Sequence, residues 1–281
     1  MDWKENVALV TGGSSGIGAA LVAEIARRGG RVVAAARRLD RLESLAAELS
    51  RSGATVIPVE CDVTRREDLD AAVNRAHQEF GRLDTVIANA GFGVVGKFEA
   101  LSVEDYRRQF ETNVFGVLRT AGAALPALRR SRGTLVIIGS VSGHVPTAGA
   151  SAYAMSKAAV RAFASALRAE VRAAGVGVVL VSPGFVASEF RAVDNQGRHH
   201  AEARDPVPAW LVVPTPQAAR FIVKAIARRR REVVVTGHGK AIVWVARHMP
   251  WLLAAVLERG RYRSREEPTA ALGRADRGAS S

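Results

Sequence analysis

The sequence predicts an α/β protein with a single Rossmann-type, doubly wound sheet of about seven parallel strands and helices on both faces. Two observations predict this fold. Apolar runs of strand length alternate along the chain with amphipathic segments of helix length. The apolar runs are also continuous, as expected of strands that are covered on both faces. Regular alternation of this kind implies parallel pairing through right-handed crossovers, and 281 residues suit one such domain.

Seven apolar runs rich in valine and isoleucine are the candidate strands. In chain order they are residues 6–12, 31–36, 54–60, 83–91, 133–140, 176–184 and 231–237. Segments with helical periodicity, such as 17–29 and 39–53, lie between the first six runs. In 39–53, leucines recur at helical spacing from Leu39 to Leu49, and Gly53 ends the pattern.

We expect a catalytic domain over residues 1–239, which contains an irregular insertion at about 187–214. The insertion is polar and has no clean period until Trp210, and long irregular segments of this kind are often functional. Residues 240–260 form an apolar and basic extension, whose apolar runs are shorter than the roughly 20 residues that span a bilayer. Two interpretations stay open for this extension. It packs on the body or on a partner subunit, or it lies flat on a membrane.

The polar residues 261–281 are predicted to be a disordered tail. The net charge of +13 raises the question of nucleic-acid binding. However, residues from Arg220 onward carry 14 basic and 5 acidic side chains, so +9 of the excess lies near the end of the chain. We therefore expect no nucleic-acid partner, and a basic tail fits an anionic membrane surface better.

The cellular location is predicted to be cytoplasmic, with peripheral membrane contact through 240–260 left open. The single cysteine, Cys61, cannot form an internal disulfide and suits a reducing compartment. The chain enters a strand-like run within its first six residues, which leaves no room for a signal peptide.

The segment TGGSSGIG, residues 11–18, follows the first strand directly. A strand that enters a helix through such a turn lets backbone N–H groups approach a pyrophosphate, and the helix N-terminus adds partial positive charge. The alternative is a tight turn in which glycine only relieves strain. The candidate cofactor-binding residues here are Gly12, Ser14, Ser15, Gly16, Ile17 and Gly18.

The end of the second strand predicts which dinucleotide binds. An acidic residue about 20 residues after the glycine turn usually holds the adenosine ribose of NAD. Ala36 stands there instead, followed by Arg37 and Arg38. A guanidinium can bind a 2′-phosphate with two hydrogen bonds, so we expect NADP (NADPH) rather than NAD, with Arg37 preferred as the phosphate ligand. The alternative is that both arginines are solvated residues before a helix.

The chain resembles the classical short-chain dehydrogenase/reductase (SDR) family from residue 5 to about 237. The matching motifs are TGGSSGIG (11–18), CDV (61–63), ANAG (88–91), Asn113 in ETNVFG, Ser140 in IIGSVSG, YAMSK (153–157) and SPG (182–184). Each motif alone is weak, but seven in the same order and spacing are specific. Two departures are mild: Ala88 replaces an asparagine that is frequent in the family, and Ser188 replaces a frequent threonine.

The resemblance implies further cofactor contacts. It places Asp62 and Val63 near the adenine. The other implied residues are Asn89, Ala90 and Gly91 along the cofactor, and Pro183, Gly184, Val186 and Ser188 near the nicotinamide. The hydroxyl of Ser188 would meet the carboxamide.

Tyr153 and Lys157 are four residues apart, so a helix places both side chains on one face. Tyrosine titrates near pH ~10, and lowering that by ~2–3 units requires about 3–4 kcal/mol of preference for the phenolate. A cation ~4 Å away supplies about 4 kcal/mol at an effective dielectric near 20. The pair can therefore serve as a general acid or base; an exposed helical pair without function is the alternative.

The resemblance assigns the catalytic roles. It implies an NADP-dependent oxidoreductase, such as a carbonyl reductase, in which a hydride reaches a carbonyl carbon and Tyr153 protonates its oxygen. Ser140 donates a hydrogen bond to that oxygen, and Lys157 also holds the nicotinamide ribose. Asn113 anchors a proton-relaying water or is instead a structural residue at a helix bend. Ser142 is a second hydroxyl, but spacing favours Ser140.

An apolar substrate pocket follows from the same layout. Its expected lining is Phe92, Val145, Phe185, Phe190, Trp210 and Leu211. This lining favours a hydrophobic ketone, aldehyde or secondary alcohol, although Arg191 and Arg198 are candidates for binding a carboxylate. His144 either touches substrate or is an ordinary loop residue. His199 and His200 lack a third ligand at suitable spacing, so we expect no metal site.

The resemblance also implies a homodimer or homotetramer that pairs through the helices holding SAYAMSK and EDYRRQFETNVFG. The competing functional class is a protein that binds NADP(H) without catalysis and acts in regulation or at a membrane surface. Such proteins tend to lose the tyrosine or the lysine, and this chain keeps both.

Overall fold

All seven predicted strands are present in one parallel sheet, with the order β3-β2-β1-β4-β5-β6-β7. The structure is a computed structural model, and it describes residues 1–187, 195 and 207–259, without the side chains of 256–259. The strands are β1 (Val7–Thr11), β2 (Arg31–Ala36), β3 (Val56–Glu60), β4 (Thr85–Ala88), β5 (Thr134–Ile138), β6 (Gly177–Ser182) and β7 (Glu232–Val234). The predicted fold class is confirmed.

Helices cover both faces of the sheet. They are α1 (Gly16–Arg27), α2 (Leu39–Ser50), α3 (Arg66–Phe80), α4 (Val103–Phe110), α5 (Gly116–Ser131), α6 (Ser151–Val171), α7 (Thr215–Ala227), α8 (Gly237–His248) and α9 (Pro250–Arg259). A π-helical turn, Glu111–Phe115, joins α4 to α5, and a 3₁₀ turn, Val141–Gly143, precedes α6.

Two apolar cores lie on opposite faces of the sheet, and the central strands contribute to both. In β1, Leu9 enters the core beneath α3, α5 and α6, while Val10 enters the core beneath α1 and α7. Successive strand residues point to opposite faces, so a strand buried on both faces must be apolar throughout. Burying one large apolar side chain stabilises the fold by about 1.5–3 kcal/mol.

The direction of the chain through the sheet determines where a ligand can bind. The chain builds outward from β1 to β3, then returns to β4 on the other side of β1 and continues to β7. In open parallel sheets a crevice forms at the carboxyl ends of the strands where this reversal occurs. The predicted motifs after β1, β4, β5 and β6 therefore meet at one edge of the sheet.

Several predicted boundaries differ from the observed ones. The fourth strand ends at Ala88, so residues 89–91 form a loop. The predicted domain boundary at residue 239 falls inside α8, which begins at Gly237. Most of the predicted insertion 187–214 and all of the predicted tail 261–281 lie outside the described residues. The described part of the insertion returns to the body where Val213 forms a parallel bridge with Val186.

The C-terminal extension packs on the body through one face of α8. Gly239 and Val243 are buried, whereas Trp244 is 56% exposed and Trp251, on α9, is 68% exposed. Among the described residues, no helix is both long enough and apolar enough to cross a bilayer. The homodimer or homotetramer stays a prediction.

Candidate active site

The glycine turn between β1 and α1 is folded tightly against the loop after β4. Gly12 and Gly16 have positive φ angles of 66° and 53°, which glycine adopts without strain. A Cβ at Gly18 would lie 2.0 Å from the Gly12 oxygen, and one at Gly12 would lie 2.8 Å from the Ala90 Cα. Close backbone approach requires glycine at positions 12 and 18, and this is the arrangement that leaves backbone amides open to a pyrophosphate.

Asn89 holds the glycine turn from the neighbouring strand. Its Nδ2 donates to the backbone oxygens of Thr11 at 2.9 Å and of Gly12 at 3.2 Å. In return, the Thr11 hydroxyl oxygen accepts hydrogen bonds from the amides of Asn89 and Ala90. The ends of β1 and β4 are therefore tied together where the predicted cofactor crevice lies.

Arg38, rather than Arg37, reaches the glycine turn. Its Nη2 donates to Ser15 Oγ at 2.8 Å and to Ser14 Oγ at 3.3 Å, whereas Arg37 is exposed. The sequence favours Arg37 because that residue follows the strand directly. The chain leaves the strand at Ala36, and the φ of −91° and ψ of 84° at Arg38 give its side chain a direction that strand alternation does not predict.

The loop after β3 holds the next pair of predicted cofactor residues. Asp62 Oδ1 accepts hydrogen bonds from the amide and hydroxyl of Thr64, at 2.9 and 2.8 Å, which orients the carboxylate. Val63 is buried, and a Cβ at Gly116 would lie 2.8 Å from its Cγ2. Val63 therefore packs beneath the start of α5.

Lys157 is the central charged group of the site. It is only 5% exposed, its Nζ donates to the Ile138 oxygen at 2.9 Å, and that Nζ lies 5.7 Å from the centroid of the Tyr153 ring. Burial lowers the pKa of Lys157 from 10.5 to about 8, because removing an ammonium from water disfavours its charged form. The ammonium still predominates at neutral pH, beside the tyrosine that the sequence singled out.

Ser140 lies at the end of β5, next to this pair. Its Oγ accepts a 3.1 Å hydrogen bond from the amide of Ser142, so the second serine orients the first through its backbone. A Cβ at Gly143 would lie 2.7 Å from the Lys157 oxygen, so the turn after Ser140 is pressed against α6. The turn that follows Ser140 is thus packed against the helix that carries Tyr153 and Lys157.

Asn113 lies in the π-helical turn and is fully buried. Its Nδ2 donates to the Phe92 oxygen at 2.9 Å and to Ser156 Oγ at 3.3 Å, and its Oδ1 accepts from the Phe92 amide at 3.1 Å. A Cβ at Gly91 would lie 2.9 Å from that Oδ1. Both amide hydrogens are thus engaged with protein atoms, which agrees with the structural alternative for this residue.

The loop after β6 holds the remaining predicted cofactor residues. The Pro183 oxygen accepts from the Val141 amide at 2.9 Å, and a Cβ at Gly184 would lie 2.3 Å from Thr236 Oγ1. Val186 is buried at its bridge to the returning insertion. Ser188 lies outside the described residues.

Five residues of the predicted substrate lining, Phe92, Val145, Phe185, Trp210 and Leu211, are among the described residues. Phe92 and Leu211 are half-buried, Phe185 is 40% exposed and Trp210 is 81% exposed. Val145 is buried and serves packing. The predicted candidates Phe190, Arg191, Arg198, His199 and His200 lie outside the described residues. Within the described chain, no cluster of three His, Cys, Asp or Glu side chains could hold a metal ion.

A family model described as short chain dehydrogenase matches residues 6–199, which is more than half of the chain. The chain belongs to the short-chain dehydrogenase family. The expected resemblance is thereby confirmed, and the glycine turn, Ser140 and the Tyr153–Lys157 pair all lie within the matched residues.

Curated relatives of this short-chain dehydrogenase are oxidoreductases. An uncharacterized oxidoreductase of Myxococcus xanthus is 40% identical over 227 residues, covering 80% of this chain and 85% of the relative. A protein of Sesamum indicum named 11-beta-hydroxysteroid dehydrogenase A is 33% identical over 250 residues, covering 85% of this chain and 70% of the relative. The chain is therefore similar to oxidoreductases over most of its length.

Solved structures of the family share the fold. An alcohol dehydrogenase from the archaeon Thermococcus sibiricus, complexed with 5-hydroxy-NADP, has a TM-score of 0.72 and 27% identity, and the match covers 82% of this chain and 96% of that chain. A short chain dehydrogenase/reductase from Burkholderia phymatum in complex with NAD has a TM-score of 0.80 and 24% identity, covering 90% and 96%. The first of these structures therefore contains a derivative of NADP, and the second contains NAD.

Sequence reasoning missed a group of residues where β7 meets α8. His238 Nε2 lies 3.2 Å from the Phe185 amide and 3.1 Å from Thr236 Oγ1, beside the predicted nicotinamide loop. Glu232 of β7 is also in this group, and its Oε1 lies 3.2 Å from Nε2 of His144, a residue that the sequence did single out; that Nε2 lies 3.1 Å from Ser182 Oγ. The signal was present in the parallel topology, because the residues after β7 must reach the same sheet edge as those after β5 and β6.

Lys157 is expected to make stability increase with pH. The pKa of its ammonium is ordinarily 10.5, as in the unfolded chain, and about 8 in the fold, so the unfolded chain binds more protons between these two values. The free energy of unfolding therefore increases through that range, and the destabilisation by the buried ammonium is fully present below about pH 8.

The measurement compares Tyr153→Phe with Tyr153→Phe/Lys157→Met by denaturant unfolding at about pH 7 and about pH 10. Because the phenol is absent from both proteins, Lys157 is the one titrating group by which they differ. From the lower to the higher pH, the lysine-containing protein should gain roughly 2–3 kcal/mol relative to its partner. A difference that does not change with pH would contradict the burial of the ammonium.

Proposed function

We propose that this protein is an NADP(H)-dependent oxidoreductase that interconverts a ketone or aldehyde and an alcohol by hydride transfer. The observation that carries the proposal is the buried Lys157 ammonium, 5.7 Å from the Tyr153 ring centroid, with Ser140 on the adjoining turn. Buried cations are costly, and a cation next to a titratable phenol at a sheet crevice favours a catalytic use over a structural one.

The proposed chemistry assigns one task to each side chain. A bound nicotinamide supplies or accepts the hydride. In the reducing direction, Tyr153 donates its phenolic proton to the substrate oxygen, and the nearby ammonium of Lys157 stabilises the phenolate that remains. The Ser140 hydroxyl donates a hydrogen bond to the same oxygen and so stabilises the negative charge that develops there. Because its amide hydrogens are engaged elsewhere, Asn113 holds the Phe92 loop as a positioning residue.

The cofactor proposal rests on the fit between the glycine turn and a dinucleotide. Helix α1 begins at this turn, has no acidic residue in its first turn, and its N-cap Ser15 makes no side-chain capping bond. Those features favour an anion at the helix N-terminus. The Arg38 guanidinium beside Ser14 and Ser15 adds a positive charge that suits the 2′-phosphate of NADP.

The proposed substrate is a hydrophobic carbonyl or secondary alcohol. Phe92 and Phe185 are the partly accessible aromatic side chains on the loops after β4 and β6. One relative carries the name of a hydroxysteroid dehydrogenase, which supports testing steroid-sized ketones. A panel of steroid, aromatic and aliphatic ketones, with keto acids as polar controls, would be followed by the absorbance of NADPH.

Tyr153→Phe tests the acid/base assignment. The substitution removes only the hydroxyl, so NADPH affinity should stay within about threefold while turnover falls by on the order of a thousandfold. Tyr106→Phe is the matched control, because Tyr106 bonds Ser151 at the start of the same helix and should keep turnover near that of the parent. Normal turnover by Tyr153→Phe would remove the proposed mechanism.

Arg38→Ala tests cofactor selection, with Arg37→Ala as its matched control. Losing a charged hydrogen-bonding partner of the 2′-phosphate should weaken NADPH binding by about tenfold or more, with a much smaller effect on NADH. Arg37→Ala should change the affinities for NADPH and NADH by less than Arg38→Ala changes the affinity for NADPH. Fluorescence titration with both cofactors measures this, and an equal loss for NADH and NADPH would show that Arg38 does not read the phosphate.

We also propose peripheral contact between residues 240–260 and an anionic membrane. The exposed Trp244 and Trp251 belong to a region of 14 basic and 5 acidic side chains from Arg220 onward, a composition that suits an anionic interface. The double variant Trp244→Ala/Trp251→Ala should lose co-sedimentation with phosphatidylserine-containing vesicles, whereas the control Trp210→Ala should keep it. Equal pelleting of the parent protein, the double variant and Trp210→Ala would contradict membrane contact.

A further inference from the structure

Helix α8 follows β7 and lies beyond the residues 6–199 that the family model matches. Thr236 caps its N-terminus by accepting a 3.2 Å hydrogen bond from the Gly239 amide. Gly239, Val243 and Arg247 are four residues apart and so share one face of the helix. Gly239 and Val243 are buried, and Arg247 pairs with Glu232 of β7.

The first contact of this face is with the turn that follows Ser140. A Cβ at Gly239 would lie 2.6 Å from Thr236 Oγ1, the cap of the same helix, 2.9 Å from Val141 Cγ2 and 3.1 Å from Val234 Cγ1. Val141 comes directly after Ser140 and begins the 3₁₀ turn. The backbone of α8 is therefore packed against the first residue of the turn that carries the proposed hydrogen-bond donor.

The second contact reaches the other end of the same turn. Arg247 Nη2 lies 2.8 Å from Glu232 Oε2, and Glu232 Oε1 lies 3.2 Å from His144 Nε2. His144 Nε2 also lies 3.1 Å from Ser182 Oγ. Among the described residues, Glu232 Oε1 is buried and makes no hydrogen bond, so its 3.2 Å approach to His144 Nε2 is a close polar contact.

The protonation of His144 is consistent with a structural link. Its side chain is 3% exposed, and burial lowers its pKa below the ordinary value, against the opposing effect of Glu232. Arg161 on α6 and Arg247 on α8 lower it further. A neutral imidazole at neutral pH donates or accepts a hydrogen bond without placing a net charge beside the site.

We propose that α8 positions the Ser140 hydroxyl by holding both ends of the segment from Ser140 to His144. Gly239 holds the first end by direct packing, and the chain Arg247–Glu232–His144 holds the second. This inference rests on the proposed function, because it assigns positioning residues to that reaction. A catalytic group displaced by about 1 Å can cost on the order of a hundredfold in rate, so support from α8 is worth a measurable part of catalysis.

The packing contact is tested with Gly239→Ala against Gly237→Ala. The two glycines lie in the same helical turn, but a Cβ at Gly237 would meet nothing within 4 Å. Hydrogen exchange of the peptide covering residues 139–150 is measured in the full chain without substrate. Exchange should increase in Gly239→Ala and match the parent in Gly237→Ala.

The ionic contact is tested with Arg247→Met against Lys240→Met, which removes a positive charge from the same helix. Arg247 is 52% exposed at its side chain, so its loss should leave the protein folded even if Gly239→Ala does not fold. Exchange in residues 139–150 should increase only in Arg247→Met, and Arg247→Lys should restore part of the protection because it keeps a cation near Glu232.

Single-turnover hydride transfer from NADPH to benzil, or to the ketone that the panel selects, supplies the second measurement. Arg247→Met should slow this step by about threefold to a hundredfold while NADPH affinity stays near that of the parent. Unchanged exchange in both Gly239→Ala and Arg247→Met, or an unchanged transfer rate in Arg247→Met, would overturn the inference. Tyr153→Phe is run alongside, because retained turnover there would overturn the proposed function instead.

Discussion

The hydrogen bond from Lys157 Nζ to the Ile138 oxygen is the interaction on which the arrangement of the candidate site depends. It joins α6 to the last residue of β5, so the tyrosine one turn before the lysine and the serine two residues after Ile138 are held at a set distance. The ammonium is almost fully buried, and the lowered pKa of Lys157 reports the cost of that burial. The Ile138 oxygen offsets part of this cost by accepting a hydrogen bond from the ammonium.

Close backbone approach is the second constraint on the site. Gly12, Gly18, Gly91, Gly143 and Gly239 each lie where an added Cβ would come within 3 Å of a neighbouring loop or helix. These contacts press the loops after β1, β4 and β5 and the start of α8 together at the carboxyl edge of the sheet. The site is therefore built from backbone surfaces packed against each other, and the reactive side chains emerge between them.

Helix α8 continues this packing beyond the part of the chain that the family model matches. Because Gly239 has no side chain, the turn that follows Ser140 can pack closely against the helix. Arg247 forms an ion pair with Glu232, which in turn lies next to His144. The predicted boundary at residue 239 divided this helix because the resemblance to the family extends only to about residue 237. The contacts of α8 join the start of the extension to the loops at the carboxyl edge of the sheet.

The sequence by itself determined the seven strands, their parallel class and the helix that carries Tyr153 and Lys157. These depend on periodicity and on spacing within one element, which are local properties of the chain. Only the tertiary structure decided that Arg38 rather than Arg37 meets the glycine turn, that the Asn113 amide is engaged with Phe92 and Ser156, and that α8 contacts the Ser140 turn. Each of these contacts joins residues that are distant in sequence. Such contacts depend on the directions in which loops leave the strands, and periodicity along the sequence contains no information about those directions.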